Sequence, residues 1–215
     1  MKDIINLTVV SAAALFMTIN PVDARVLRTT PGQDMKAPLM RAFGESTPPF
    51  GYVNFCISYP KDCRGGSRKP RRMVLSGKRW KQLNRINTYV NTSIKPVTDS
   101  QLYKKVEYWT YPKNGAGDCE DYVLLKRKML IKRGWPAESL LITVVLDQKN
   151  QGHAVLTAVT DLGDLILDNQ DSKIRRWNQT PYRYHKRQSQ FHPSVWVALT
   201  PSSFFSTVTS TRTRD

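Results

Sequence analysis

The chain has 215 residues, 40% of them hydrophobic, enough for one well-filled core and too few for two full domains. Its formal net charge is +16, but the cations are scattered through "CRGGSRKPRR", "KRWKQLNR", "LKRKMLIKR" and "YRYHKRQ", with no zinc-finger or RNP pattern, which argues against a nucleic-acid module. What remains is a broadly cationic surface that would draw anionic partners, such as lipopolysaccharide or phospholipid head groups or an acidic protein.

The first element is a signal peptide over residues 1–24. "MKDIINLTVVSAAALFMTIN" carries one lysine and an apolar stretch, and the following "PVDA" places Val22 and Ala24 where small residues precede a cleavage point. The apolar run is short for a membrane span, and no later segment of the mature chain approaches that length. The chain is therefore expected in the periplasm or secreted. Residues 25–72 are rich in Pro, Gly and Ser and read as an irregular lead-in. Within it, Cys56 and Cys63 share the short segment "FCISYPKDC", the pattern of a local disulfide in an oxidising compartment. Cys119 is then left without a partner.

The core is expected over residues 73–200. Trp80, Leu83, Ile86, Val90 and Ile94 recur at three- and four-residue spacing, which predicts an amphipathic helix ending before Pro96. A second helix begins in "GDCEDYVLLKRKML": Asp118 suits the N-cap, Glu120 and Asp121 place negative charge in the first turn, and Gly134 with Pro136 closes it. Strands follow in "SLLITVVLD", "GHAVLTAVTD", "DLILDN" and "PSVWVALT", the second and third joined by a hairpin at "TDLGD". Residues 201–215 are Ser/Thr-rich and read as a disordered tail.

Cys119 thus sits at a helix N-terminus, where the dipole and free N–H groups favour a thiolate and could receive an oxyanion. Asp118, Glu120 and Asp121 work against ionisation unless something neutralises them. A thiolate nucleophile needs a base and a group to orient that base. Of the three histidines, His153 opens a strand after a glycine, whereas His185 and His192 read as surface residues. Asp168 ends the strand returning from the hairpin and is the candidate orienting acid. A turn centred on Leu162–Gly163 would misplace it by roughly four residues, about 13 Å along a strand. A Cys–His–Asp set therefore requires a turn nearer Thr160–Asp161, or a bulge.

"GDCEDYVLLKR", "RGWPAESLLITVV", "GHAVLTAVTDLGDLILDNQ" and "YHKRQSQ…W" together resemble the bacterial transglutaminase-like cysteine proteinases, and the resemblance spans most of Phe50 to Leu199. It implies an α+β fold of papain/transglutaminase type, with the catalytic Cys at a helix N-terminus packed on an antiparallel sheet. It implies Cys119 as nucleophile, His153 as base and Asp168 as orienting acid. The family includes a calcium-dependent periplasmic protease that releases surface adhesins, so the resemblance also implies Ca2+ as a cofactor, with Asp118 and Glu120 as ligands. The expected substrate is a protein of the cell envelope or surface, cut through an acyl-enzyme. Transglutaminase-type acyl transfer and a non-catalytic cationic envelope-binding module stand as alternatives.

Overall fold

The computed structural model describes residues 39–65 and 69–201. The expected signal peptide, and the expected tail apart from Pro201, lie outside the described residues. In chain order the elements are β1 (Glu45–Ser46), α1 (Phe50–Ser58), α2 (Gly77–Ser93), β2 (Lys95–Pro96), α3 (Asp99–Tyr103), β3 (Ala116–Gly117), α4 (Cys119–Ile131), β4 (Leu140–Leu146), β5 (Gly152–Thr160), β6 (Gly163–Leu167), β7 (Arg175–Arg176), β8 (Arg183–Gln188) and β9 (Trp196–Ala198). Seven strands form one sheet in the order β1-β9-β8-β4-β5-β6-β7, and every pairing in it is antiparallel. The fold is α+β, as the sequence implied. No helix among the described residues is long and apolar enough to cross a membrane.

The two expected helices form where the periodicity puts them. Ser76 caps α2, its side chain accepting from the Arg79 N–H, and Leu83, Ile86 and Val90 make its buried stripe. That stripe packs with Val123, Leu124 and Leu130 of α4 over Leu140, Ile142, Ala154, Leu156 and Ala158 of the central strands. Alternate residues of the same strands, Val145, Val155 and Ile166, enter a second cluster with Met40, Tyr184 and Leu199. The middle of the sheet is thus buried on both faces, which is why β4, β5 and β6 read as continuous apolar runs.

Two expectations need correction. The lead-in is not wholly irregular, since it contains β1 and the nine-residue helix α1. That helix follows Pro49 and is apolar on nearly every side, so it shows little periodicity. Cys56, on α1, is joined to Cys63 as expected, with a Cα–Cα separation of 5.6 Å. "YRYHKRQ", read as surface, is β8, an inner strand between β9 and β4. Its Arg187 is buried in an ion pair with Asp164, at 3.0 Å, and His185 lies half-buried on the same strand. His192 is exposed, as expected.

Candidate active site

The start of α4 is fixed by the chain before it. β2 and β3 pair in parallel, Lys95 against Ala116 and Pro96 against Gly117, which ties the end of α2 to the approach of α4. Tyr122, in the first turn of α4, reinforces this by donating from its hydroxyl to the Ile94 carbonyl at 2.5 Å. Gly117 has no room for a side chain, because a Cβ there would collide with the Asp121 carboxylate. Cys119 is the first residue of the helix, where backbone N–H groups are unused by the helix itself. It is a free, half-buried thiol.

The Ala154 backbone, next to His153 in β5, favours the ionised sulfur but is outweighed. The thiol proton points to Glu120 Oε2, at 3.1 Å. Burial pushes the thiol well above its ordinary range, and the Glu120 carboxylate beside it adds to the rise. A site in this electrostatic state holds a thiol rather than a thiolate.

His153 and Asp168 are brought together, with Nε2 and Oδ1 2.8 Å apart and both residues buried. The register explains how. β5 and β6 pair Thr160 with Gly163 and Leu156 with Leu167, so the turn centres on Asp161–Leu162, between the two positions weighed from the sequence. Continued by one pair, this ladder would set Asp168 opposite Val155, two residues from His153. An offset of two keeps both side chains on one face of the sheet, and such diagonal neighbours, roughly 5.5–8 Å apart at Cβ, are within reach of long side chains. No bulge in this hairpin is needed.

Asp168 is saturated with donors. Its carboxylate receives His153, the Tyr182 hydroxyl and the Gln170 N–H. Burial alone would raise its pKa, but these hydrogen bonds outweigh burial and hold it below the usual carboxylate range. The Tyr182 ring lies 5.5 Å from the imidazole and covers it. A cleft of about 410 Å³ opens beside this pair, lined in part by Lys149, Asp168, Gln170, Lys173 and Tyr182.

The acidic residues around Cys119 are arranged differently. Asp118 occupies the N-cap position, but its side chain makes no cap bond to α4. Its Oδ2 instead accepts the Asp99 N–H at 3.1 Å. Asp99, Asp118 and Glu120 each offer a carboxylate oxygen, all within 4.8 Å of one another. Asp99 Oδ1 and Asp118 Oδ1 are buried without a hydrogen-bond partner among the described residues. Burial pushes Asp99 up to about 6 and Asp121 up to about 8, and it raises Glu120 as well, with Asp118 contributing. Three crowded carboxylates, two of them with a buried oxygen that no described residue satisfies, fit a divalent cation of the calcium type.

Sequence reasoning missed Asp99. It lies in the first turn of α3 behind a capping box formed by Thr98 and Gln101, so it reads as a helix-start residue, and its 19-residue distance from Asp118 matches no short metal motif. Tyr182 and Gln170 carried no signal either, since their roles depend on the loop after β6. Trp109, ahead of β3, is buried with its indole N–H donating to Glu107 Oε2 at 3.1 Å.

The description "bacterial transglutaminase-like cysteine proteinase" is that of the family whose model matches residues 42–203. Similar solved structures include LapG of Legionella pneumophila in its calcium-bound form, at 28% identity and TM-score 0.48, covering 57% of this chain and 71% of that one. Another is the EGTA-treated form, at 29% identity and TM-score 0.48, covering 55% and 67%. The search of curated proteins finds no match.

Proposed function

The chain belongs to the bacterial transglutaminase-like cysteine proteinases and is therefore a cysteine peptidase, and on that premise we propose that it is exported and cuts a cell-envelope protein through Cys119, His153 and Asp168. The observation that carries this reading is the buried His153–Asp168 hydrogen bond, in a chain whose free thiol, Cys119, stands at the start of α4.

In the proposed reaction Asp168 holds the proton of His153 on Nε2, which leaves Nδ1 as the base. Nδ1, released from the long 3.4 Å contact with the Gln170 amide, takes the Cys119 proton, and the sulfur attacks the peptide carbonyl. N–H groups at the start of α4 receive the oxyanion. The amine leaves with the proton from His153, giving an acyl-enzyme. Water, deprotonated by the same nitrogen, then releases the acid and restores the thiol.

Asp99, Asp118 and Glu120 are proposed as the calcium ligands. When bound, the ion supplies positive charge beside a sulfur that must ionise. The chain's own carboxylates would then serve as ligands and no longer as hydrogen-bond acceptors for the thiol. The cationic surface suits an acidic protein substrate or an anionic envelope surface.

A thiol-directed activity probe tests the reading. It should label Cys119 in calcium-loaded protein and fail to do so in His153→Ala. Equal labelling of both proteins would refute the assignment. Comparing envelope proteins from cells with and without active enzyme identifies the substrate, and a periplasmic form beginning at Arg25 would support export.

A further inference from the structure

β6 ends at Leu167, so Asp168 lies beyond the last paired residue of the ladder, and the sheet does not hold its backbone. Helix α2 holds it instead. Asn91 Nδ2 donates to the Asp168 carbonyl at 2.7 Å, and Asn87, one turn earlier on the same face, donates from Nδ2 to the Ser172 carbonyl at 3.1 Å. Facing two acceptors, both amides must present their NH2 ends. Asn87 Oδ1 and Asn91 Oδ1 are left buried without a partner among the described residues. Asparagine is a poor interior helix residue, and burying its amide unpaired is unfavourable. This pair therefore disfavours α2 itself, which points to a use elsewhere.

The segment so gripped, residues 168–172, delivers one side chain to each nitrogen of His153. Asp168 Oδ1 meets Nε2 at 2.8 Å, and Gln170 Nε2 lies 3.4 Å from Nδ1. The Gln170 N–H also bonds Asp168 Oδ1, at 3.0 Å, so the two contacts are set by one backbone conformation. We propose that Asn91, supported by Asn87, is a positioning residue that holds the loop in the arrangement aiming Asp168 at Nε2 of His153, which fixes the tautomer with Nδ1 as the base. The assignment rests on the triad reading above. Tyr182 grips the Asp168 carboxylate from the other side of the segment, but Asn91 alone fixes its carbonyl among the hydrogen bonds described.

The test uses full-length, calcium-loaded protein with Asn91→Ala, the near-isosteric Asn91→Leu, and Asn87→Ala at the far end of the segment. Two readouts are taken: the His153 Nε2–H resonance in protein with 15N-labelled histidine, and the iodoacetamide alkylation rate of Cys119. Both Asn91 variants should weaken or lose the resonance and slow alkylation about tenfold, the scale expected for displacing an oriented group by a fraction of an ångström. Asn87→Ala should do the same to a lesser degree. Wild-type values in Asn91→Leu would overturn the proposal, because the residue would then act by filling space. So would wild-type values in Asn87→Ala if the Asn91 variants fail to fold. Asp168→Asn separates the two levels of the argument: if it leaves alkylation unchanged, the triad reading fails. If it slows alkylation and the Asn91 variants do not, only the positioning proposal fails.

Discussion

Asp168 and Asp121 are aspartates buried almost equally, at 3% and 0% exposure, yet the first lies below the ordinary carboxylate range and the second is pushed up to about 8. Burial acts the same way on both. The difference is in donors: Asp168 collects His153, Tyr182 and the Gln170 N–H, whereas Asp121 receives the Thr110 N–H and stands among other acids. Asp99 and Asp118 extend this second group, each with an oxygen that no described residue satisfies. The first group, around His153 and Asp168, is thus complete with protein groups alone. The other has the composition of a site that could hold a cation, and burial and Glu120 keep the thiol beside it protonated.

Losing the nucleophile or the group around His153 should have the largest effects. Asp168→Asn keeps the shape but removes the charge and lets an NH2 face the imidazole, favouring the wrong tautomer, so proteolysis of an identified substrate should fall by about 10³–10⁴-fold, as expected when a triad acid is lost. Cys119→Ala should abolish the activity with the melting temperature nearly intact. The acidic group should respond in binding first. Asp99→Ala, Asp118→Ala and Glu120→Ala should each weaken calcium binding at least tenfold, measured by calorimetry, a loss at the scale reported for disturbing metal sites. Asp99→Ala is the sharpest of the three, because nothing in its sequence context marks it as a ligand.

Lys126 sharpens the comparison from the opposite sign. It is fully buried on α4, its Nζ has no hydrogen-bond partner among the described residues, and burial lowers its pKa to about 7 although Asp168 pulls the other way. A lysine whose folded pKa lies below its unfolded value binds fewer protons when folded, so the stability deficit it causes is full below about pH 7 and is relieved as pH rises toward about 10. Lys126→Met should raise stability at neutral pH by about 1–4 kcal/mol and flatten that slope in thermal melts.

The raised acids give the smallest effect, with the reverse slope. Because Asp99 and Asp121 titrate at about 6 and about 8 when folded, the metal-free folded state holds protons that the unfolded chain has already released, and its stability falls as pH climbs from about 4 to about 8. Calcium binds the ionised form. The rise in melting temperature on adding calcium should therefore be greater near pH 8 than near pH 5.5.

The sequence carried the elements with strong periodicity. The stripe Leu83, Ile86, Val90 predicted α2, the continuous apolar runs predicted β4 to β6, and the isolated thiol at a helix start drew attention to Cys119. β8 was hidden because its polar residues are satisfied by distant partners: Arg187 by Asp164 and Gln188 by Tyr52 and Pro193. None of those pairings leaves a local pattern. The pairing of His153 with Asp168 was legible as residue types but not as geometry, since it depended on a turn position that "TDLGD" leaves free by one residue. Asp99 was illegible for a similar reason. It reaches the start of α4 through the parallel contact of β2 with β3, which no spacing rule anticipates.

The central claim is that the acids on one side of Cys119 are incomplete until a cation binds. Isothermal titration of calcium into metal-stripped protein near neutral pH, in two buffers of different ionisation enthalpy, tests it most directly. The account predicts one site per chain with net proton release, because carboxylates held up by burial must ionise to become ligands, and predicts that Asp99→Ala weakens the binding at least tenfold. An absence of binding, or binding that releases no protons and keeps its affinity in Asp99→Ala, would contradict it.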